Sequence, residues 1–398
     1  MGVKWTTDQQ HAIECCKGSV LVSAAAGSGK TAVLVERVIR RLTDKDNPCS
    51  AEDLLIVTFT RAATAQMREK IGAAILKRLS EDPTDRHLRR QYMLLPFAKI
   101  CTIDSFCNDL VRENFHALGI SPDYSLLDNE TAVIMKNDVC EAMLERAYEE
   151  DSDGRFSELS DMMSSGSSDE DFAKLIIKMY DISTAYPFPD LWLDSLIEEY
   201  SQPDINKSRW GGIIKKYVCD MLDYCVSSSR DMMTAMESDP IVADAYGAAV
   251  QSDINMYAEL REKINSDWDE ALEAFKTVKY MSLGRVPKGY ESETKNVVTT
   301  ARKKLKDLLK KVPGIMCVSS EEHADDMRLL RDPVTKLIEL VKQFGREYSA
   351  EKDKMNSADF SDILHRALNL LAVSDGSGGY IKTDLACELS SHYVEILV

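Results

Sequence analysis

A chain of 398 residues, 44% hydrophobic and 29% charged, has the composition of a soluble globular protein with length enough for two or three packed domains. No apolar run approaches the roughly 18 residues of a membrane span and the N-terminus carries no apolar signal region, so a cytoplasmic protein is expected. Ten cysteines fall in no C-x-x-C pair or zinc-like spacing, which predicts reduced thiols, and a net charge of −17 excludes a protein that coats nucleic acid indiscriminately.

That charge is unevenly spread. Residues 1–110 hold 16 Lys and Arg against 13 Asp and Glu, and the remainder holds 33 against 53. A nucleic-acid partner would therefore sit mainly on the first block or on a local basic patch.

In chain order, Trp5 to Gln10 leads into a helix carrying Ala12 and Ile13, with Thr7 or Asp8 as its cap. Gln9 can offer donor and acceptor together to an adenine edge, although a solvated surface role is commoner for glutamine. Ser19–Ser23 is short and rich in Val and Leu, as a buried strand is, while Val33, Leu34, Val38, Ile39 and Leu42 mark one helical face. Between them Ala24–Thr31 reads AAAGSGKT and fits the phosphate-loop pattern (Ala or Gly, four residues, Gly-Lys, then Ser or Thr) at every fixed position. Gly27 and Gly29 allow a tight turn that aims N–H groups at phosphate oxygens, and the helix starting near Lys30 adds its positive end. In that role Ala24, Ala25, Ala26, Gly27, Ser28 and Gly29 cradle ATP, Lys30 reaches the β and γ phosphates, and the Thr31 hydroxyl ligates Mg²⁺. The plain alternative is a glycine turn joining a strand to a helix.

Asp44–Ser50 is polar and contains Pro48, hence a loop. Leu54–Thr60 reads as a second buried strand, followed by the helical pattern Ala62, Ala63, Met67, Ile71, Ile75. Two strand–helix units in sequence argue for a parallel α/β sheet. Lys99–Ile103 predicts a third strand, and Ser105, Phe106 and Cys107 open a helix holding Leu110, Val111 and Phe115. Asp104 at the end of that strand has the form of a Walker B carboxylate. Against this, Lys99 and Thr102 make the strand less apolar than a central one, and no Glu follows as general base.

From about residue 130 helical periodicity takes over, with Val133, Val139, Met143, Leu144 and Ala147 on one face and Ile213, Tyr217, Met221, Leu222 and Cys225 on another. Breaks fall at residues 164–168, at Pro187 and Pro189, and at Pro240. Residues 131–355 read as an acidic, all-helical insertion whose Met and aromatic stripes are core packing. Between Arg285 and Lys311 nine basic residues, Arg302, Lys303, Lys304 and Lys306 among them, stand against Glu291, Glu293 and Asp307. This is either a solvated helix face or a contact for a phosphate backbone. Phe360, Ile363, Leu364, Ala367 and Leu371 mark a helix, Ser374–Gly379 a flexible link, and Tyr393–Val398 a last strand.

Four stretches in combination resemble superfamily 1 DNA helicases of the UvrD/RecB type, most closely the AddA-type chains of bacterial AddAB helicase-nucleases. They are Trp5–Gln9, similar to the Q motif; Ala24–Thr31; Val57–Ala63, similar to helicase motif Ia; and Thr102–Cys107, similar to a Thr-Ile-His-Ser-Phe-Cys stretch. Ile120–Tyr124 and Asp359–Leu364 also resemble family segments. The resemblance implies an α/β fold, a RecA-like P-loop NTPase parallel sheet (1–130 and 356–398) with a large all-helical insertion (131–355), truncated before the Walker B carboxylates. It assigns Gln9 to the adenine, Ala24–Thr31 to the triphosphate and Mg²⁺, with Lys30 and Thr31 as the catalytic pair. Phe59, Thr60, Arg61, Thr102 and Ser105 are assigned to single-stranded DNA. Arg61 stands where the family often has Asn and strengthens phosphate attraction; Asp104 stands where His is usual and would repel a phosphate. The family places an Asp-Glu Walker B pair immediately after the strand at Tyr393–Val398. The expectation is thus an N-terminal fragment of one chain of an ATP-dependent DNA helicase-nuclease that acts in double-strand break repair and recombination. It binds ATP, Mg²⁺ and single-stranded or duplex DNA without unwinding by itself, and an AddB-like partner is implied. Its alternatives are a nucleotide-gated DNA-binding module and another P-loop NTPase with Asp104 as Walker B.

Overall fold

Residues 4–15, 18–25, 27–44, 49–152, 154–163, 170–376 and 379–398 are described in the computed structural model of the chain. The chain opens with α1 (Thr7–Glu14), α2 (Lys30–Thr43), β1 (Leu54–Thr58), α3 (Arg61–Glu81), α4 (Arg86–Leu94), β2 (Lys99–Thr102), α5 (Ile103–Glu113), α6 (Phe115–Leu118), β3 (Ser125–Leu126) and α7 (Asn129–Glu149). A helical stretch follows: α8 (Arg155–Met163), α9 (Glu170–Ser183), α10 (Pro189–Tyr200), α11 (Arg209–Met236), α12 (Pro240–Ser266), α13 (Trp268–Lys276), α14 (Glu293–Leu309), α15 (Val312–Ile315) and α16 (Ser320–Lys354). Last come β4 (Ser357–Ala358), α17 (Phe360–Leu371), β5 (Ala372–Ser374), β6 (Tyr380–Lys382), α18 (Asp384–His392) and β7 (Glu395–Leu397). By packing, the chain divides into one unit of Met1–Ala142, Thr184–Phe188 and Arg346–Val398, and a second of Met143–Ser183 and Pro189–Gly345.

In the first unit β1 is the centre of a parallel sheet of order β2-β1-β7. Leu54, Leu55, Ile56 and Val57 are all buried, the continuous apolar run expected of a strand covered on both faces. Val38, Ile39 and Leu42 of α2 and Met67, Ile71 and Ile75 of α3 pack with Leu54 and Ile56 in one core, each large aliphatic side chain contributing roughly 1.5–3 kcal/mol by leaving water. A smaller core joins Leu110 and Val111 of α5 to Tyr124, Ala358 and Ile363, Ala367 and Leu370 of α17.

Several expectations are corrected here. Ser19–Ser23 is not a strand: Leu21 is 96% exposed, Val20 and Val22 are exposed too, and the segment pairs with none of the described strands. A short apolar run becomes a strand only where neighbours bond its edges and cover its faces. Of the expected flexible link at Ser374–Gly379, Ser374 belongs to β5, which pairs antiparallel with β6 so that Ser374 lies opposite Tyr380, and residues 377–378 lie outside the described set. The first strand after the loop ends at Thr58 rather than Thr60, and the last strand is only Glu395–Leu397. The expected loop at Asp44–Ser50 and the break at 164–168 fall partly or wholly outside the described residues.

The second unit is helical throughout its described residues apart from the links between helices. Residues 237–239 join α11 to α12; Asp239 caps α12 through Val242 N (3.2 Å) and accepts from Tyr290 Oη (2.7 Å), and Pro240 fits the first turn, where its missing N–H costs nothing. Val218, Leu222 and Cys225 of α11 pack with Val250, Tyr257 and Ile264 of α12 and with Val298 and Leu305 of α14. The expected face is shifted: Ile213 and Tyr217 are exposed, because the helical period carries the buried row through Ile214, Val218, Met221 and Cys225. On α7, likewise, Val133 is exposed and Cys140, Met143 and Leu144 are buried. Among the described residues no helix is long and apolar enough to cross a membrane.

One buried charge network closes the return to the first unit. Lys352, 1% exposed, reaches Asp359 at 3.0 Å and Asp362 at 2.7 Å, while Tyr348 donates to Asp359 at 3.2 Å. Asp359 also caps α17, and although burial alone would raise its carboxyl, Lys352 and the hydrogen bonds hold it below the ordinary value. Lys352→Met strands two carboxylates and is expected to cost about 3–5 kcal/mol in denaturant unfolding at neutral pH. Because the folded pKa of Asp359 is lowered, the wild-type network is fully stabilising above the unfolded carboxylate value and weakens as pH falls through the folded one. The gap between wild type and Lys352→Met should therefore narrow as pH falls from neutrality through the carboxylate range, and an unchanged gap contradicts the network's role.

Candidate functional site

The phosphate-loop sequence is held from both flanks. Upstream, Thr6 and not Thr7 or Asp8 caps α1: its hydroxyl accepts from Gln9 N (3.3 Å) while Thr6 N donates to Gln9 Oε1 (3.0 Å), a reciprocal capping box. The other end of the same carboxamide, Gln9 Nε2, donates to Ser28 O at 3.1 Å. One side chain thus starts a helix and touches the loop. Gly27 and Gly29 take φ of +80° and +86°, the left-handed region where a Cβ is costly, and Gly29 is the N-cap of α2. No side chain caps that helix and no acidic residue lies in its first turn. Its leading N–H groups and the positive end of its dipole favour an anion there. Lys30 begins α2 with its ammonium folded back on the loop, donating to Ala24 O (2.6 Å) and Ala25 O (3.0 Å). Thr31 follows, half-buried in the same turn. Ala26 lies outside the described residues.

A second set of residues leaves the carboxyl ends of β1 and β2, where Thr58 lies opposite Thr102. Parallel pairing places both exits on one sheet edge, the usual position of binding loops in α/β proteins. Phe59 is 84% exposed, Thr60 caps α3 by accepting from Ala63 N (3.1 Å), and Arg61 opens that helix, exposed. Thr102 is buried and caps α5 through Ser105 N (3.1 Å), its hydroxyl donating to Ser105 Oγ (2.9 Å). Thr102 is accordingly engaged in capping, while Phe59 and Arg61 offer a ring and a cation to solvent. Arg68 of α3 holds the segment leading into β2 by donating to Pro96 O (3.0 Å) and Ile100 O (3.1 Å). Asp104 does not end a strand: β2 stops at Thr102, and Asp104 is exposed in the first turn of α5. That removes the strand-end form on which its Walker B reading rests; a carboxylate in a first turn is sufficiently accounted for by the helix dipole.

The basic cluster is corrected in part. Arg302 is 3% exposed and forks onto Asp253 (3.0 Å for the Nη2 bond), itself 1% exposed, with Nη2 also donating to Met281 O. It is a core ion pair, not a phosphate contact. Lys306 lies 4.4 Å from the Tyr280 ring centre, its pKa lowered by burial, and Lys310 pairs with Asp307. Lys304 lines an open cavity of about 870 Å³ with Tyr224, Asn296, Glu291 and Glu293, so carboxylates share the space with its ammonium.

Two other chemistries find no support among the described residues. Among the described residues no group of three or more His, Cys, Asp or Glu side chains is placed to hold a metal ion. Burial pushes the Cys49 and Cys225 thiols up to about 11 and Cys140 up to about 12, leaving them protonated at neutral pH. Two residues are not among those expected from the sequence: Thr6, although its Thr-x-x-Gln spacing is a capping-box signal, and Glu395, whose arginine partners lie more than 350 positions away.

The family model described as UvrD/REP helicase N-terminal domain matches residues 5–398. The chain is 36% identical to AddA, an ATP-dependent helicase/nuclease subunit of Lachnoclostridium phytofermentans, over 99% of its own length and 29% of the relative's. It is 32% identical to the protein of that name from Ruminiclostridium cellulolyticum (99% of this chain, 32% of the relative) and 30% identical to that from Bacillus cytotoxicus (100% and 32%). The chain spans about a third of the length of these relatives.

Arg302→Leu is expected to destabilise the chain by about 3–5 kcal/mol, since it leaves Asp253 charged and buried without its partner. Urea unfolding measures this, and a loss below about 1 kcal/mol, the size of a surface ion pair, contradicts the core assignment.

Proposed function

The chain belongs to the UvrD/REP helicase N-terminal domain family, and from that premise we propose that it is the ATP- and DNA-binding part of an ATP-dependent DNA helicase. In this reading residues 1–130 and 356–398, which lie within the first unit, are the motor domain, and residues 131–355 are its helical insertion. The observation that carries it is the conjunction at the loop: two left-handed glycines, Lys30 at the head of α2, and Gln9 docked on Ser28.

Each residue's part follows from its place. N–H groups of residues 27–31 and the Lys30 ammonium neutralise the phosphates, with Lys30 exchanging the carbonyls of Ala24 and Ala25 for phosphate oxygens that bind a cation more strongly. Thr31 supplies a hydroxyl to Mg²⁺, which when bound shields phosphate charge. Gln9 presents its carboxamide to the adenine. Phe59 stacks on a base, an attraction every base offers, while Arg61 draws the phosphate backbone, and Thr60 and Ser105 hydroxyls orient it. Thr102 acts by holding Ser105 in place.

Hydrolysis calls in addition for a carboxylate pair to hold Mg²⁺ through water and orient the attacking water, a pair the family resemblance places after β7. We assign to these residues the binding of ATP and of single-stranded or duplex DNA. The complete protein, in the cytoplasm with an AddB-like partner, would couple turnover to movement on DNA in break repair.

Two titrations test the reading. Lys30→Ala should weaken a fluorescent ATP analogue with Mg²⁺ by at least about ten-fold, on the scale of one lost charge-assisted contact; equal affinity refutes the site. Phe59→Ala should weaken an oligo-dT strand by about 5- to 150-fold, from roughly 1–3 kcal/mol per stacked base; an unchanged affinity removes Phe59 from the strand path.

A further inference from the structure

Arg37 lies seven residues beyond Lys30, two helical turns along α2 on nearly the same face. Its Nη1 donates to Ala12 O, a last-turn carbonyl of α1, at 2.6 Å. Its Nε donates to Glu395 Oε1, and Arg41 Nε one turn further donates to the other oxygen of the same carboxylate at 3.0 Å. All three side chains are close to buried, at 14%, 7% and 13% exposure for Arg37, Arg41 and Glu395. Glu395 is the first residue of β7, opposite Leu54 of β1, so its place is fixed by the sheet. Arg40 adds an exposed ion pair to Glu14 at 2.7 Å, worth little by itself.

α1 is therefore held at both ends: Gln9 at its start touches Ser28 of the loop, and Ala12 near its finish is held by Arg37. We propose that Arg37 is a positioning residue which, anchored by Glu395, locks α1, α2 and β7 together and so fixes the distance between Gln9 and the phosphate loop. The pairing differs from a surface ion pair in that one guanidinium serves a carbonyl of one element and a carboxylate of another, and loss of either contact frees α1 to slide along α2. Arg41 doubles the hold on Glu395.

The inference rests on the nucleotide reading of the loop, and its test separates the two. Amide hydrogen exchange is measured on the 398-residue chain without nucleotide, and affinity for Mg²⁺ with a fluorescent ATP analogue is measured in parallel. The variants are Arg37→Met, Glu395→Gln, Lys30→Ala and, as a surface control, Arg78→Ala, whose pair with Glu36 is half exposed. Arg37→Met should speed exchange at residues 7–14 and 27–33 about ten-fold while residues 54–58 keep their protection, and should weaken the analogue about ten-fold. Glu395→Gln, which keeps one acceptor oxygen for the arginines, should do the same to a smaller extent, and Arg78→Ala should do neither. Exchange that rises across the whole sheet, or only at β7, overturns the proposal, as does wild-type affinity in a folded Arg37→Met. If Lys30→Ala binds the analogue as tightly as wild type, the nucleotide reading fails. The pattern of exchange then still decides whether Arg37 couples α1 to the loop.

Discussion

β1 is the constraint on which the candidate site depends. It is bonded on both edges by parallel neighbours and buried along Leu54–Val57, so its carboxyl end has one possible exit, and Phe59, Thr60 and Arg61 leave there. β2 runs beside it in register and delivers Thr102 and Ser105 to the same edge. Parallel strands bring such exits together without any side chain having to specify it, which is why α/β sheets repeatedly carry their binding loops at this edge. The phosphate loop is fixed indirectly: α2 packs Val38, Ile39 and Leu42 into the core over β1, and the loop is what precedes α2.

Hydrophobic burial holds these layers together, but it is non-directional and tolerates sliding. Direction comes from three buried ionic contacts, each joining an element to another: Arg37 and Arg41 to Glu395, Lys352 to Asp359 and Asp362, and Arg302 to Asp253. Desolvating such charges is costly, and a well-packed apolar pair would often be as stable. What the charged pair adds is a geometry that fails if either element shifts. In the first unit two of these contacts fall on elements that flank the candidate site, at α2 with β7 and at the start of α17.

The parts of the fold set by local pattern are legible in the sequence. The apolar run at Leu54 marks β1, the period through Val38 and Leu42 marks α2, and the AAAGSGKT spacing marks a turn that does place glycines at positive φ. What is not legible depends on partners elsewhere along the chain. Ser19–Ser23 has the composition of a strand, yet no described strand pairs with it. In sequence Arg302 resembles one more charge of a lysine-rich surface, because Asp253 is 49 positions away. Tyr217 and Val218 are adjacent, and only the packing of α12 decides which of them is core. The Thr6 cap is readable and shows that a spacing rule outweighs the presence of other capping residues nearby.

The central claim is that the loop beginning α2 receives a nucleotide's phosphates while the edge beyond β1 receives a nucleic-acid strand. Backbone amide chemical shifts test it most directly, recorded first with Mg²⁺ and ATP and then with an oligo-dT strand. The account predicts that ATP moves the amides of Gly27, Ser28, Gly29, Lys30 and Thr31 and the side-chain amide of Gln9, and that oligo-dT moves those of residues 59–63. Shifts confined to the cavity between α11 and α14, or none at the loop at saturating ATP, would contradict it.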